Sequence, residues 1–168
     1  MTPALCLAAI AIFVAAAVTD WRSRRIPNEL VLALAALGLA RIVLTWFETG
    51  AVPYGDPLVA FAVFAVGALA FHLGVLGGGD VKLMAAGALW TGTALADDFL
   101  VITLLAGGVL AFVYIARGRL SRFGTGERAA TTLPYGIAIA AGGVISTRAM
   151  LATPEGAALA QMALSSMN

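Results

Sequence analysis

With one cysteine, Cys6, and one histidine, His72, the chain cannot close an intramolecular disulfide or build a multi-cysteine zinc site. Charge is scarce as well: 11% of the residues are charged, against roughly a quarter in soluble domains, and no patch suited to nucleic acid stands out. What fills the 168 residues is apolar, 61% of them hydrophobic, with a mean hydropathy of +0.98. These proportions exclude an ordinary soluble domain and point to an all-α, polytopic membrane protein. A net charge of +1 identifies no partner, because in such proteins the placement of charge matters more than its sum.

Basic residues are also missing ahead of the first apolar run. A cleavable signal peptide carries its positive charges before the apolar region, whereas here Arg22, Arg24 and Arg25 follow it, so the first segment is expected to be a retained helix. Cys6 lies too near Met1 for a lipidation site and reads as a small apolar residue.

Six apolar segments follow one another, at about 3–20, 29–47, 57–76, 81–96, 98–116 and 133–152, each near the length of a spanning helix. Residues 1–152 thus form one six-helix transmembrane domain, and 153–168 a short surface or disordered tail. The connections fall at residues 21–28, at 48–56, at the glycine run, at Asp97-Asp98 and at 117–132, the last glycine-containing and basic. Asn28 is expected to cap the second helix, with Glu29 in its first turn, and Pro134 to open the last one. If the N-terminus lies outside, eight of the ten basic residues fall inside, and only Arg41 and Arg148 remain towards the outer ends. That orientation brings Asp20 and Asp80 to the same, cytoplasmic, face.

The stretch around which the chain is organised is Leu76-Gly77-Gly78-Gly79-Asp80-Val81-Lys82-Leu83. Three glycines resist a helix by about 1 kcal/mol each, so the apolar run should unwind there and a helix restart at Asp80. Side-chain-free backbone leaves room for an extended peptide beside the carboxylate. Asp20 closes the first segment and Asp80 opens the fourth; both segments read as short, roughly 24 Å against a hydrocarbon core of roughly 30 Å, which draws both carboxylates into the membrane edge.

Two carboxylates brought together share one proton more readily than both ionise. Such a pair is chemically able to hydrolyse an amide, one member taking a proton from water and the other donating to the carbonyl oxygen. Helix dipoles favour Asp80, at a helix N-terminus, as the base and Asp20, at a helix C-terminus, as the acid. Spacing alone leaves open that each is a simple helix cap.

Asp20-Trp21-Arg22-Ser23-Arg24-Arg25-Ile26-Pro27-Asn28 resembles the D-x₅-I-P-N signature, and Gly77-Gly78-Gly79-Asp80-Val81-Lys82-Leu83 the G-x-G-D-x-K-L signature, of the type IV prepilin peptidases, intramembrane aspartyl proteases also called GxGD proteases. Pro134-Tyr135-Gly136 resembles a third element of that family, and the likeness spans essentially the whole chain. It implies that Asp20 and Asp80 are catalytic and that Ile26, Pro27, Asn28, Gly77, Gly78, Gly79, Lys82, Pro134, Tyr135 and Gly136 serve the substrate or the architecture of the site. The implied substrate is a prepilin, a single apolar helix with a basic leader removed at the cytoplasmic membrane border. Longer members add a cysteine-bearing region and methylate the new N-terminus. This chain resembles the short form, of tad or Flp type or of archaeal preflagellin and pilin processing, for which no methyltransferase activity, metal or cofactor is expected.

Two readings compete with the peptidase. A proton-coupled transporter or channel subunit would string Asp20, Asp80 and His72 along an ion path, and an inactive pilus-assembly subunit would use neither carboxylate. Lys82, two positions past Asp80, should point away from it and anchor in lipid headgroups; His72 should be an interhelical hydrogen-bonder. Arg41 should snorkel outward or meet Glu48, Trp21, Trp46 and Trp90 should be interfacial or packing aromatics, and the basic 117–132 connection should contact anionic lipid.

Overall fold

Apolar runs of this length can satisfy their backbone groups within a bilayer by forming helices, and the apolar runs among the described residues do so. The computed structural model describes residues 3–121 and 134–152, and its elements are α1 (Pro3–Ser23), α2 (Asn28–Thr49), α3 (Gly55–His72), α4 (Gly78–Ser121) and α5 (Tyr135–Ala152). All five are long and apolar enough to cross a membrane. The tail 153–168, residues 122–132 of the basic connection and residue 133 lie outside the described residues; residues 117–121, expected in that connection, are still helical.

α4 is two passes rather than one. Its 44 residues would extend about 66 Å as a straight helix, twice a hydrocarbon core. The helix breaks at Gly92, whose φ of 65° and ψ of −178° are non-helical. Twelve positions apart, Gly87 and Phe99 would stand about 18 Å apart on a straight helix. Instead a Cβ added at Gly87 would come within 2.6 Å of the Phe99 ring, so the chain turns back at Gly92. The expected break at Asp97-Asp98 is therefore displaced: both aspartates are helical and exposed, early in the second arm, where acidic residues suit the N-terminal end of a helix. With the two arms of α4 counted separately, the described residues hold six helical segments.

The other sequence-derived boundaries shift by small amounts for local reasons. Asn28 is the first residue of α2 and not its cap; Pro27, at φ −60° and ψ 138°, holds the cap position and makes no side-chain cap bond. α1 continues three residues past Asp20 to Ser23, so it is 21 residues long rather than short, and Asp20 lies within its last turn. The unwound stretch precedes the glycines as much as it includes them, since α3 ends at His72 and α4 begins at Gly78.

α4 is the centre of the bundle and packs on α2, α3 and α5, while α1 packs chiefly on α5. Phe13, Trp90, Phe99, Leu83 and Ile139 are fully enclosed or nearly so at these contacts. The Phe13 and Phe99 rings sit 6.2 Å apart, and the Trp90 Nε1–H donates to Thr147 Oγ1 over 2.9 Å, joining the first arm of α4 to α5. Trp90 is thus a packing aromatic, whereas Trp21 and Trp46 are exposed. Leu32, Phe47, Phe61, Val66 and Phe112 point outward, as a bundle surrounded by lipid allows.

At one end of the bundle Arg41 Nη2 donates to Asp56 Oδ2 over 2.5 Å and to the Leu89 carbonyl over 3.3 Å. Asp56 Oδ1 in turn accepts the backbone N–H of Thr93 at 2.8 Å and its hydroxyl at 3.0 Å. The start of the second α4 arm, whose first N–H groups have no partner within the helix, is capped by a carboxylate from α3. The partner of Arg41 is therefore Asp56 and not Glu48. Two opposite charges buried in an apolar setting meet each other, and the joint they make fixes the turn at Gly92.

Candidate active site

The opposite end of the bundle gathers the C-terminus of α1, the start of α2, the start of α4 and the start of α5. Asp20 is buried, 6% exposed, and its Oδ2 accepts the backbone N–H of Gly136 over 2.8 Å. Gly136 is the second residue of α5, preceded by the buried Pro134, and the first-turn N–H groups of that helix are free to reach a carboxylate. A Cβ at Gly136 would lie 2.9 Å from Asp20 Oδ2, so the close approach depends on glycine.

Asp80 sits in the first turn of α4, partly buried, and accepts the backbone N–H of Gly77. The Gly77 carbonyl accepts the first helical N–H, from Val81, at 3.1 Å. Gly77 therefore occupies the cap position, and Asp80 reaches back to it from the third residue of the helix, as the acidic partner of a capping box does. Gly78 and Gly79 are helical, so the glycines serve the start of the helix rather than postponing it to Asp80.

The two carboxyl groups, 60 positions apart in sequence, lie close enough to interact electrostatically, and Asp80 exerts the same influence on Tyr135. Arg24, of opposite charge, stands close enough to attract the Asp20 carboxylate. Asp20, Asp80, Tyr135 and Gly136 thus form one cluster. Asp20 also faces the start of α5, so both carboxylates stand at a helix N-terminus, and helix dipoles do not separate an acid from a base as they did in the sequence.

The remaining motif residues buttress this cluster from the α2 side. A Cβ at Gly79 would meet Ile26 Cβ at 3.3 Å, so the 26–28 turn lies directly over the glycine run. Lys82 Nζ donates to Asn28 Oδ1 over 3.2 Å, which is what the Asn28 side chain does in place of capping α2. Lys82 does point away from Asp80, towards α2, and is exposed. Arg24, with a positive φ of 54°, extends Nη2 to the Tyr114 hydroxyl at 3.2 Å and ties the α1–α2 connection to the second arm of α4. His72 is the exposed last residue of α3 rather than a group buried between helices.

Sequence reasoning missed three partners. The Gly136 N–H is a backbone group and has no signature of its own, although the Pro134-Tyr135-Gly136 element marked its position. Tyr114 gave no signal at all. Asp56 could have been found, since an intramembrane arginine demands an acidic neighbour at matching depth.

A family model described as the type IV leader peptidase family matches residues 7–115, a stretch that holds Asp20, the 26–28 turn, the glycine run and Asp80, and stops short of Pro134. No curated protein and no solved structure matches the chain. The match covers more than half of the sequence and both acidic motifs, and on that ground the chain belongs to the type IV leader peptidase family.

Proposed function

We propose that this multi-pass membrane protein is an aspartyl endopeptidase that removes the leader of prepilin-like proteins at the cytoplasmic face of the inner membrane. Family membership makes it a leader peptidase and implies a prepilin-like substrate in general; the aspartyl mechanism, the residues and the membrane face are the proposal. The observation that supports it is the placement of Asp20 and Asp80 by α1 and α4 at one end of the bundle, within electrostatic reach of each other and each accepting a backbone N–H.

In this reading the pair works on the amide with one shared proton. The ionised carboxylate takes a proton from water, and the oxygen so activated adds to the carbonyl carbon. The protonated carboxyl group donates a hydrogen bond, and then its proton, to the developing oxyanion. When the tetrahedral intermediate collapses, the C–N bond breaks, the amine leaves with the proton first taken from water, and the carbonyl re-forms by returning the other. The Gly136 and Gly77 N–H groups fix the carboxylates, which lowers the cost of orientation. Among the described residues, Arg22, Arg24, Arg25 and Lys82 lie at the Asp20 and Asp80 end, which supports the cytoplasmic face. A transporter would need ionisable groups through the membrane depth; His72 lies exposed at the end of α3, and Arg41 and Asp56 pair with each other at the far end.

The test is co-expression with a candidate prepilin, following the leader by gel shift. Wild type should shorten the precursor, while Asp20→Ala and Asp80→Ala at normal membrane abundance should leave it whole. Shortening by both variants would remove the assignment.

A further inference from the structure

α1 ends on a residue that glycine would replace with less strain. The Arg24 N–H donates to the Asp20 carbonyl over 2.9 Å, the bond that closes a helix on a left-handed residue, and Arg24 fills that place with a φ of 54°. Glycine adopts this conformation freely, whereas an arginine crowds its Cβ against the backbone. Among the described residues Arg24 is the one non-glycine residue with a positive φ; α2 ends on Gly50 in the same conformation. A strained backbone beside a site directs attention to the side chain it carries.

That side chain makes two connections. Its Nη2 donates to the Tyr114 hydroxyl over 3.2 Å, and its charge bears on the Asp20 carboxylate four positions back. Of the three arginines that follow Asp20, Arg24 is the one that acts on it. Arg24 is exposed, and an arginine in water samples many rotamers, whereas Tyr114 is half-buried on the second arm of α4 and offers a fixed acceptor. A hydroxyl suits this task because it holds the cation without neutralising it, as a carboxylate in its place would. On the far side of Arg25, Ile26 packs over Gly79, so the α1–α2 connection is pinned to both arms of α4. Among the described residues, the other charged or titratable groups at this end are Asp80 on the first arm of α4, Tyr135 on α5, Lys82, which turns to Asn28, and the exposed Arg22, Arg25, Glu29 and His72.

We propose that Tyr114 is a positioning residue: its hydroxyl anchors the Arg24 guanidinium so that one positive charge stays beside Asp20 and helps keep the carboxyl pair in its singly ionised, working form. The proposal rests on the peptidase reading and adds to it two residues that touch neither the amide nor the attacking water. Because Arg24 is exposed, its influence is modest and weakens with salt.

The experiment measures leader removal from a prepilin-like substrate by the full-length protein in lipid bilayers, as a function of pH, at low and at high salt. Arg24→Gly relieves the backbone and removes the charge. It should withstand heating at least as well as wild type, while both limbs of its pH profile for kcat move to higher pH by about half a pH unit, since a carboxyl pair deprived of a nearby positive charge holds its protons more tightly. That shift should shrink at high salt. Tyr114→Phe should move the limbs the same way by less, Arg24→Lys should restore most of the wild-type position, and Arg24→Gly with Tyr114→Phe should move no further than Arg24→Gly alone. Limbs that coincide in wild type and Arg24→Gly, with rate or stability lowered evenly at every pH, would reduce Arg24 to a structural tie and overturn the proposal while leaving the peptidase standing. Limbs unmoved in Tyr114→Phe alone would overturn the part given to Tyr114. Absence of cleavage by wild type for every prepilin-like substrate tried would overturn the peptidase reading and this proposal with it.

Discussion

The Gly136 backbone N–H donates to Asp20 Oδ2 over 2.8 Å across 116 positions of sequence, joining the start of the last helix to the end of the first. The donor is a backbone group, so the contact needs a helix N-terminus and a residue small enough to admit the Asp20 carboxylate. Gly136→Ala puts a methyl group 2.9 Å from Asp20 Oδ2 and displaces it. Cleavage should fall about 10- to 100-fold, since a displacement of an ångström is worth that much. Membrane abundance should hold, because alanine favours a helix by about 1 kcal/mol over glycine. Leader removal scored against immunoblotted enzyme measures both.

The three glycines before Asp80 are not equivalent. A Cβ at Gly77 would stand 2.7 Å from Asp80 Oδ2, whereas one at Gly78 would make only ordinary contact with the Phe71 ring at 3.5 Å. Gly77→Ala should therefore lose most of the cleavage, by about tenfold or more. Gly78→Ala should retain it within about twofold. The two variants assayed side by side separate a steric demand at the carboxylate from a general need for a flexible run.

At the far end, removing one member of the Arg41–Asp56 pair leaves the other as an uncompensated charge, with side-chain exposures of only 13% and 4%. Asp56→Ala also uncaps Thr93. Either single change should cost roughly 3–5 kcal/mol, and the double change Arg41→Met with Asp56→Leu should cost less than either single one. Thermal unfolding in detergent, read by tryptophan fluorescence to which the buried Trp90 contributes, ranks the three.

Gly92→Ala should be destabilising on two counts. Its φ of 65° disfavours any L side chain, and a Cβ would lie 2.5 Å from Arg41 Nη2. The strain alone is worth about 1–3 kcal/mol. The same unfolding measurement checks it, and Gly108→Ala, where a Cβ meets nothing within 4 Å, serves as the reference.

Much of this arrangement was legible in the sequence because it follows from hydropathy and from punctuation. The helices are apolar runs of spanning length, and Asp20 and Asp80 stand where two of them end and begin on one face. What was not legible depends on contacts between distant segments. The α4 turn was assigned to Asp97-Asp98, where charge suggested a loop, but it is made by Gly92, whose unusual backbone is stabilised from outside by Asp56 and Arg41. Asn28 has the right chemistry for a cap and gives its side chain to Lys82 instead. The Gly136 donor is backbone, and no pattern of side chains reveals where a backbone N–H will point.

In the proposed reaction Asp20 and Asp80 act as one unit, and purified protein in lipid bilayers with a prepilin-like substrate tests this. Leader release should be a single cut in wild type, and Asp20→Asn, Asp80→Asn and the double variant should all fall by about 10³-fold or more, with the double no worse than either single, as residues that act together do. All three should unfold at or above the wild-type temperature. Cleavage near the wild-type rate by either single variant, with its fold intact, would contradict the account.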